Sequence, residues 1–166
     1  GTPSPRAPPR GVAPPGPWLL LSPSGTTGNP KGVVRTHESY IAFFLINQVE
    51  FNYTHDDVGL IVMPMFHVNS TFYSFVFTYM GASVHIHRAH LFDPEEILKI
   101  IDEEKITFTS LVPTHYTMML NLPDEVKAKY DLSSIRSLHC SSAPVRADTK
   151  PGIMEMFPGV RLVEAY

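Results

Sequence analysis

The chain has 166 residues, of which 43% are hydrophobic and 11% aromatic, and this excludes wholesale disorder for a chain about one domain long. Its 13 basic and 16 acidic side chains give a formal net charge of −3, which excludes a strongly basic nucleic-acid-binding protein. The single cysteine, Cys140, excludes an internal disulfide framework and favours a reducing, cytoplasmic location.

The first seventeen residues differ in composition from the rest of the chain. Seven of them are proline, which fixes the backbone angle φ and removes hydrogen-bond donors. We therefore expect residues 1–17 to be a disordered or polyproline-like leader, with a ligand for proline-binding domains as the less favoured alternative. Residues 18–166 are expected to form one partial domain. No apolar run approaches the about 18 residues of a spanning helix, so we expect no transmembrane segment and leave peripheral membrane association open.

From Trp18 onward, strand-like and helix-like patterns alternate. Short apolar or β-branched runs predict strands at Trp18–Ser22, Val58–Met63, Ser83–His87, Thr107–Val112, Ser137–Ser141 and Val160–Val163. Helical spacing and capping residues predict helices at Glu38–Val49, Ser70–Met80, Pro94–Glu104, Pro113–Leu120, Asp124–Tyr130 and Arg146–Met156. The clearest helix start is Asp93-Pro94-Glu95-Glu96, where Asp93 can cap the helix. This alternation predicts an α/β fold, mainly a parallel sheet with flanking helices.

One loop carries most of the chemical information. Residues 24–32 read Ser-Gly-Thr-Thr-Gly-Asn-Pro-Lys-Gly, which combines flexible glycines, three hydroxyl groups and one ammonium group. Backbone N–H groups in such a loop form an anion-binding concavity, so the residues predict phosphate binding. The order of residues differs from a Walker A loop, because Pro30 precedes Lys31 and Gly32 follows it. A surface turn without a ligand is the alternative.

This loop closely resembles the phosphate-binding signature of the acyl-adenylate-forming superfamily. That superfamily includes acyl-CoA synthetases, aryl-CoA ligases, luciferases and the adenylation domains of peptide synthetases. Further matching segments follow in the family's order: Met63–Val68, Phe108–Pro113, Leu138–Pro144, Phe157–Val160 and Glu164–Tyr166. The resemblance covers Trp18 to Tyr166 and implies part of the large domain of an adenylate-forming enzyme.

The resemblance implies an AMP-forming acid–thiol ligase that binds ATP. A carboxylic acid attacks the α-phosphate of ATP and releases pyrophosphate, and the thiol of CoA then attacks the acyl-adenylate. The implied small-molecule partners are a carboxylic acid, ATP with Mg²⁺, and CoA, and no nucleic acid is expected. An amino-acid-activating adenylation domain and a non-catalytic nucleotide-binding remnant remain the alternatives.

The resemblance also assigns roles to individual residues. The residues that would bind the β- and γ-phosphates are Ser24, Gly25, Thr26, Thr27, Gly28 and Lys31. The adenine would be bound by Ser142, Ala143 and Pro144, and the ring of Tyr166 would stack on it. Glu164, Ala165 and Tyr166 resemble the start of the Tyr-Gly-x-Thr-Glu motif and would belong to the same nucleotide site. His67 is the implied catalytic residue, placed between the acid and the nucleotide. The acid pocket would be lined by Phe66, His67, Phe72, Val112 and Tyr116, which favours a fatty or aryl acid.

Some expectations follow from departures from the family pattern. The sequence stops at Tyr166, before the family's magnesium-binding Glu, so we expect no metal ligand in these residues and no activity from them alone. Pro23 stands where the family usually has Thr. The histidines at 85, 87 and 90 could ligate zinc from one strand and its following loop, but a packed or solvated strand edge is favoured. Cys140 is expected to be a small buried side chain rather than a nucleophile.

Overall fold

The computed structural model describes residues 15–21, 32–88 and 91–165, and the chain divides into two compact units, 1–52 and 53–166. Three parts of the sequence discussed above therefore lie outside the described residues: most of the expected leader, the predicted phosphate loop up to Lys31, and Tyr166.

The first unit contains a two-stranded antiparallel sheet and one helix. Strand β1 (Pro17–Leu21) pairs with β2 (Val33–Thr36), and helix α1 (His37–Phe51) follows directly. The Thr36 hydroxyl accepts the Ser39 N–H at 3.1 Å and so caps the helix. Pro17, which the sequence assigned to the leader, is the first residue of β1, a position at which a strand tolerates proline.

The second unit is built on a five-stranded parallel sheet. Its strands are β3 (Val58–Ile61), β4 (Ser83–Ile86), β5 (Phe108–Leu111), β6 (Ser137–Ser141) and β7 (Arg161–Ala165). Its helices are α2 (Val68–Tyr79), α3 (Pro94–Glu103), α4 (Pro113–Leu120), α5 (Asp124–Lys127) and α6 (Lys150–Met156). The spatial order of the strands is β4-β3-β5-β6-β7. The predicted α/β fold with a mainly parallel sheet is therefore confirmed.

The two faces of this sheet are buried in different ways. On one face, Leu138 and Cys140 of β6 belong to an aliphatic core with side chains of α3, α4 and α6. On the other face, Tyr73 and Phe77 of α2 pack against the ring of Phe108. This division follows the strand pleat, because alternate residues of a strand point to opposite faces.

At the amino end of the sheet, a buried carboxylate joins three segments. Asp57 is only 2% exposed; its carboxylate accepts the Thr54 N–H at 2.8 Å and the Thr107 hydroxyl at 2.6 Å, and it forms an ion pair with Arg136. These contacts compensate for removing the charge from water and hold the starts of β3 and β5 together.

The strand order reverses between β3 and β5. The chain passes from β3 to β4 on one side and then crosses back to place β5 on the other side of β3. In open parallel sheets, the crevice outside the carboxyl ends of the strands at such a reversal is the usual place for a ligand. The segments that leave β3 and β5 at this point therefore frame the candidate site.

Candidate functional site

His67 ends the loop that leaves β3 and begins helix α2. The ring Nδ1 of His67 accepts a hydrogen bond from the backbone N–H of Asn69 at 3.3 Å, and the backbone N–H of His67 donates to the carbonyl of Pro64 at 2.8 Å. Because Nδ1 accepts a hydrogen bond, the neutral ring carries its proton on Nε2. The half-buried His67 can therefore present an N–H donor to a ligand at the carboxyl end of the sheet.

The first turn of α2 fixes the rest of this loop. The hydroxyl of Ser70 donates to the Met63 carbonyl at 2.7 Å, and that of Thr71 donates to the Met65 carbonyl at 2.6 Å. These bonds provide donors for two backbone carbonyl groups of a non-repetitive loop. Phe66 lies at the tip with 87% of its surface exposed, so an apolar side chain stands directly beside His67.

Asn69 links this turn to two strands. Its side-chain Nδ2 donates to the Ser110 hydroxyl of β5 at 2.8 Å and to the Ser141 hydroxyl of β6 at 2.7 Å. Sequence reasoning missed this cluster. The available signal was a polar residue in an apolar helix, together with serines near the ends of two predicted strands.

The predicted adenine-side segment follows β6 directly. Ser142 adopts a left-handed conformation with φ of 70°, and Ser142, Ala143 and Pro144 are exposed. A non-glycine residue in this conformation is uncommon and requires support from its surroundings. The segment is thus an exposed, sharply turned loop at the same edge of the sheet as His67.

Glu164 of β7 supports the end of that loop. Its carboxylate accepts the Val145 N–H at 2.8 Å and the Lys150 ammonium at 2.6 Å. The hydrogen bond from Lys150 and, to a smaller extent, that from Val145 hold the pKa of Glu164 below its ordinary value. In this structure the exposed carboxylate that the resemblance assigned to nucleotide binding also holds the end of the loop.

The predicted acid-pocket residues divide into two groups. Phe66, His67 and Val112 have exposed surface at the carboxyl edge, whereas Phe72 and Tyr116 are buried. The prediction that Tyr116 lines the pocket is wrong, because its side chain has no exposed surface and its hydroxyl donates to the His139 carbonyl at 2.9 Å. Its ring therefore contributes to the core and not to a pocket wall.

The remaining predicted site residues lie where no contact is described. These are Ser24, Gly25, Thr26, Thr27, Gly28, Lys31 and Tyr166. Ala165 is the last residue of β7, and only its backbone is described. The assignments for this group remain predictions from the sequence.

The described residues contain no cluster of metal-binding side chains. Within residues 15–21, 32–88 and 91–165, no group of three or more His, Cys, Asp or Glu side chains is placed to hold a metal ion. Nε2 of His87 lies 3.3 Å from the Glu96 carboxylate, and His90 lies outside the described residues. The Mg²⁺ implied by the resemblance therefore finds no ligand cluster in this part of the chain.

Cys140 is a buried free thiol. Burial, with a smaller contribution from Glu164, raises the pKa of Cys140 to about 11, so its thiol stays protonated at neutral pH.

Among the residues that the structure describes, no helix combines the length and the apolar character needed to span a membrane.

Comparison with known proteins identifies relatives along nearly the whole chain. A family model described as AMP-binding enzyme matches residues 6–166. The chain is 30% identical over 149 residues to 4-coumarate–CoA ligase-like 3 of Arabidopsis thaliana, covering 89% of this chain and 26% of that protein. It is 34% identical over 149 residues to feruloyl-CoA synthase of an Amycolatopsis species, covering 89% and 29%. The structure of McyG A-PCP complexed with phenylalanyl-adenylate has a TM-score of 0.81 at 24% identity, with 89% of this chain and 27% of that chain covered. The chain thus spans roughly a quarter of the length of these proteins.

Proposed function

Because the chain belongs to the AMP-binding enzyme family, we propose that the protein carrying it activates a carboxylic acid with ATP. The carboxylate attacks the α-phosphate, pyrophosphate leaves, and the acyl group passes from the adenylate to the thiol of CoA. The relatives with names that describe CoA ligases and synthases support this reaction for the whole protein.

The observation that carries the proposal is the position of His67. It lies where the strand order reverses between β3 and β5, and because its Nδ1 accepts a hydrogen bond, its Nε2–H is available in the proposal as a donor. Such a donor can hold a carboxylate oxygen of the acid in line with the α-phosphate, and catalysis of this kind depends mainly on positioning and charge stabilisation. In the proposal, Ser142, Ala143 and Pro144 bind the adenine at the same edge.

The phosphate-binding role rests on the sequence. The loop Ser24–Lys31 would bind the β- and γ-phosphates, and the Lys31 ammonium would stabilise the negative charge that develops on the leaving pyrophosphate. Mg²⁺ is proposed to accompany ATP, and we assign it to no residue of this chain. The leader at 1–17, the domain beginning at residue 18 and the cytoplasmic location also remain proposals, and the family match begins earlier, at residue 6.

The proposed acid is apolar, with an aryl acid preferred over a fatty acid. Phe66 and Met65 expose apolar surface next to His67, which suits an apolar acyl group. Relatives with names that specify coumarate and ferulate, both aromatic acids, support the same preference. The structural neighbour holding a phenylalanyl-adenylate keeps amino-acid activation as the second candidate.

Acid-dependent exchange of labelled pyrophosphate into ATP tests the proposal. The protein that carries this chain is assayed with a panel of aryl acids, fatty acids and amino acids. We expect exchange with an aryl or fatty acid and formation of its CoA thioester. Exchange with amino acids alone would establish the second candidate, and nucleotide binding without exchange for any acid would establish the non-catalytic alternative.

A further inference from the structure

We propose that Asn69 is a positioning residue that couples the acid side of the site to its adenine side. The inference rests on the proposed function, because that function gives His67 and the Ser142–Pro144 segment their roles. Asn69 itself has no part in the family signature on which the sequence analysis relied.

The geometry of the cluster supports this role. Asn69 follows His67 by two residues, and the same residue makes both connections: its backbone N–H holds the imidazole, while its side chain holds two strands. Ser110 and Ser141 are 5% and 9% exposed, so these hydrogen bonds are largely shielded from water. Shielded hydrogen bonds fix relative positions more firmly than exposed ones.

The two strands held by Asn69 lead to different parts of the site. Ser110 lies on β5, which borders the reversal of strand order, and Ser141 is the last residue of β6, immediately before Ser142. A shift of Asn69 would therefore move His67 relative to the start of the adenine-side segment. A displacement of about 1 Å between reacting groups can reduce a rate by about 100-fold.

The donor and acceptor pattern makes Asn69 specific to this position. Both hydrogens of its Nδ2 are used, one for each serine hydroxyl. An alanine provides neither donor, whereas an aspartate oxygen in place of Nδ2 can accept hydrogen bonds from both hydroxyls. The chain also offers a matched control on α2: the exposed Thr78, whose hydroxyl donates to the Ser74 carbonyl at 2.7 Å.

The first measurement is backbone hydrogen exchange in the full-length protein that carries this chain. For Asn69→Ala we expect faster exchange in two separated segments, 63–69 and 141–145, whereas Thr78→Val leaves both segments unchanged. Asn69→Asp should restore protection of both. Unchanged exchange at 141–145 in Asn69→Ala would overturn the proposal, as would loss of protection in Asn69→Asp equal to that in Asn69→Ala.

The second measurement separates positioning from folding. In acid-dependent pyrophosphate exchange, Asn69→Ala should lower kcat about 10- to 100-fold while the KM values for acid and ATP change less than about threefold. A merely structural role would lower the melting temperature and leave kcat per folded molecule intact, and this result would also overturn the proposal. If the unaltered protein shows no acid-dependent exchange, the proposed function fails, and hydrogen exchange alone still decides whether Asn69 links the two segments.

Discussion

The hydroxyl oxygen of Tyr73 lies 2.6 Å from Nδ1 of His139, in the aromatic cluster between α2 and the sheet. The Tyr53 hydroxyl approaches Nε2 of the same ring at 3.5 Å, and His139 is only 1% exposed. A histidine is thus held neutral inside the core, with hydroxyl groups on both of its ring nitrogens.

This arrangement predicts acid sensitivity of the fold. Burial, with a smaller contribution from the charge of Arg161, lowers the pKa of His139 from 6.5 to about 4. The folded state then binds fewer protons than the unfolded state between these values, so stability is full above the unfolded pKa and is lost as pH falls towards the folded pKa. We expect a loss of about 3 kcal/mol across this range.

Urea unfolding of the protein and of His139→Phe, measured at several pH values between about 4 and 7.5, tests this effect. The free energy of unfolding of the variant should depend less on pH than that of the unaltered protein. Parallel curves for the two proteins would show that His139 is not the group responsible.

Gly59 of β3 is predicted to tolerate no side chain. A Cβ at this position would lie 2.7 Å from a ring carbon of Phe77, which is completely buried. Gly59→Ala should therefore lower the free energy of unfolding by about 1–3 kcal/mol through overpacking. Adding Phe77→Leu should recover part of this loss, because it removes the ring that clashes. Additive losses in the double variant would contradict the proposed contact.

The buried carboxylate of Asp57 is predicted to contribute more to the free energy of unfolding than the carboxylate of an exposed ion pair. Asp57→Ala removes charge-assisted hydrogen bonds to Thr54 and Thr107 and leaves Arg136 without its partner. We expect a loss of about 2–4 kcal/mol in chemical denaturation. The exposed pair Arg146–Asp148 provides the comparison, since exposed ion pairs contribute little. Equal losses for Asp57→Ala and Asp148→Ala would contradict this account.

Local sequence signals predicted the elements that local interactions determine. Helix α3 begins where Asp93 and Pro94 predicted it, because the Asp93 carboxylate accepts the N–H groups of Glu95 and Glu96. Helix α4 and strand β6 have the predicted bounds. By contrast, helix α6 begins at Lys150 rather than at the predicted Arg146.

Features that depend on distant pairing were missed. Strand β2 was not predicted, since Val33–Thr36 is a four-residue run that becomes a strand only by pairing with β1. The Asn69 cluster required the order of the strands, which no periodicity provides. The resemblance assigned Tyr116 to the pocket through its helix, and the sequence alone does not show which side of that helix faces the core.

His67→Asn is predicted to separate capping from function. Asparagine is a good N-cap residue, so the side-chain hydrogen bond to the Asn69 N–H can be kept and the melting temperature should change little. The Nε2–H donor is lost, so the acid-dependent rate should fall or the acid preference should shift. His67→Ala serves as the control and should also lower stability, by about 1 kcal/mol. A lower melting temperature for His67→Asn with an unaltered acid profile would contradict the functional role and show that His67 is purely structural.

The central claim is that an acid carboxylate attacks the α-phosphate of ATP. The most direct test supplies the full-length protein with ATP, CoA and an acid, drawn from those that support exchange, labelled with oxygen-18 in both carboxylate oxygens. If an acyl-adenylate forms, the bridging oxygen remains on phosphorus when the thiol attacks the acyl carbon. Mass spectrometry should then find one labelled oxygen in AMP and one in the thioester. Unlabelled AMP, or labelled inorganic phosphate together with ADP, would contradict the account.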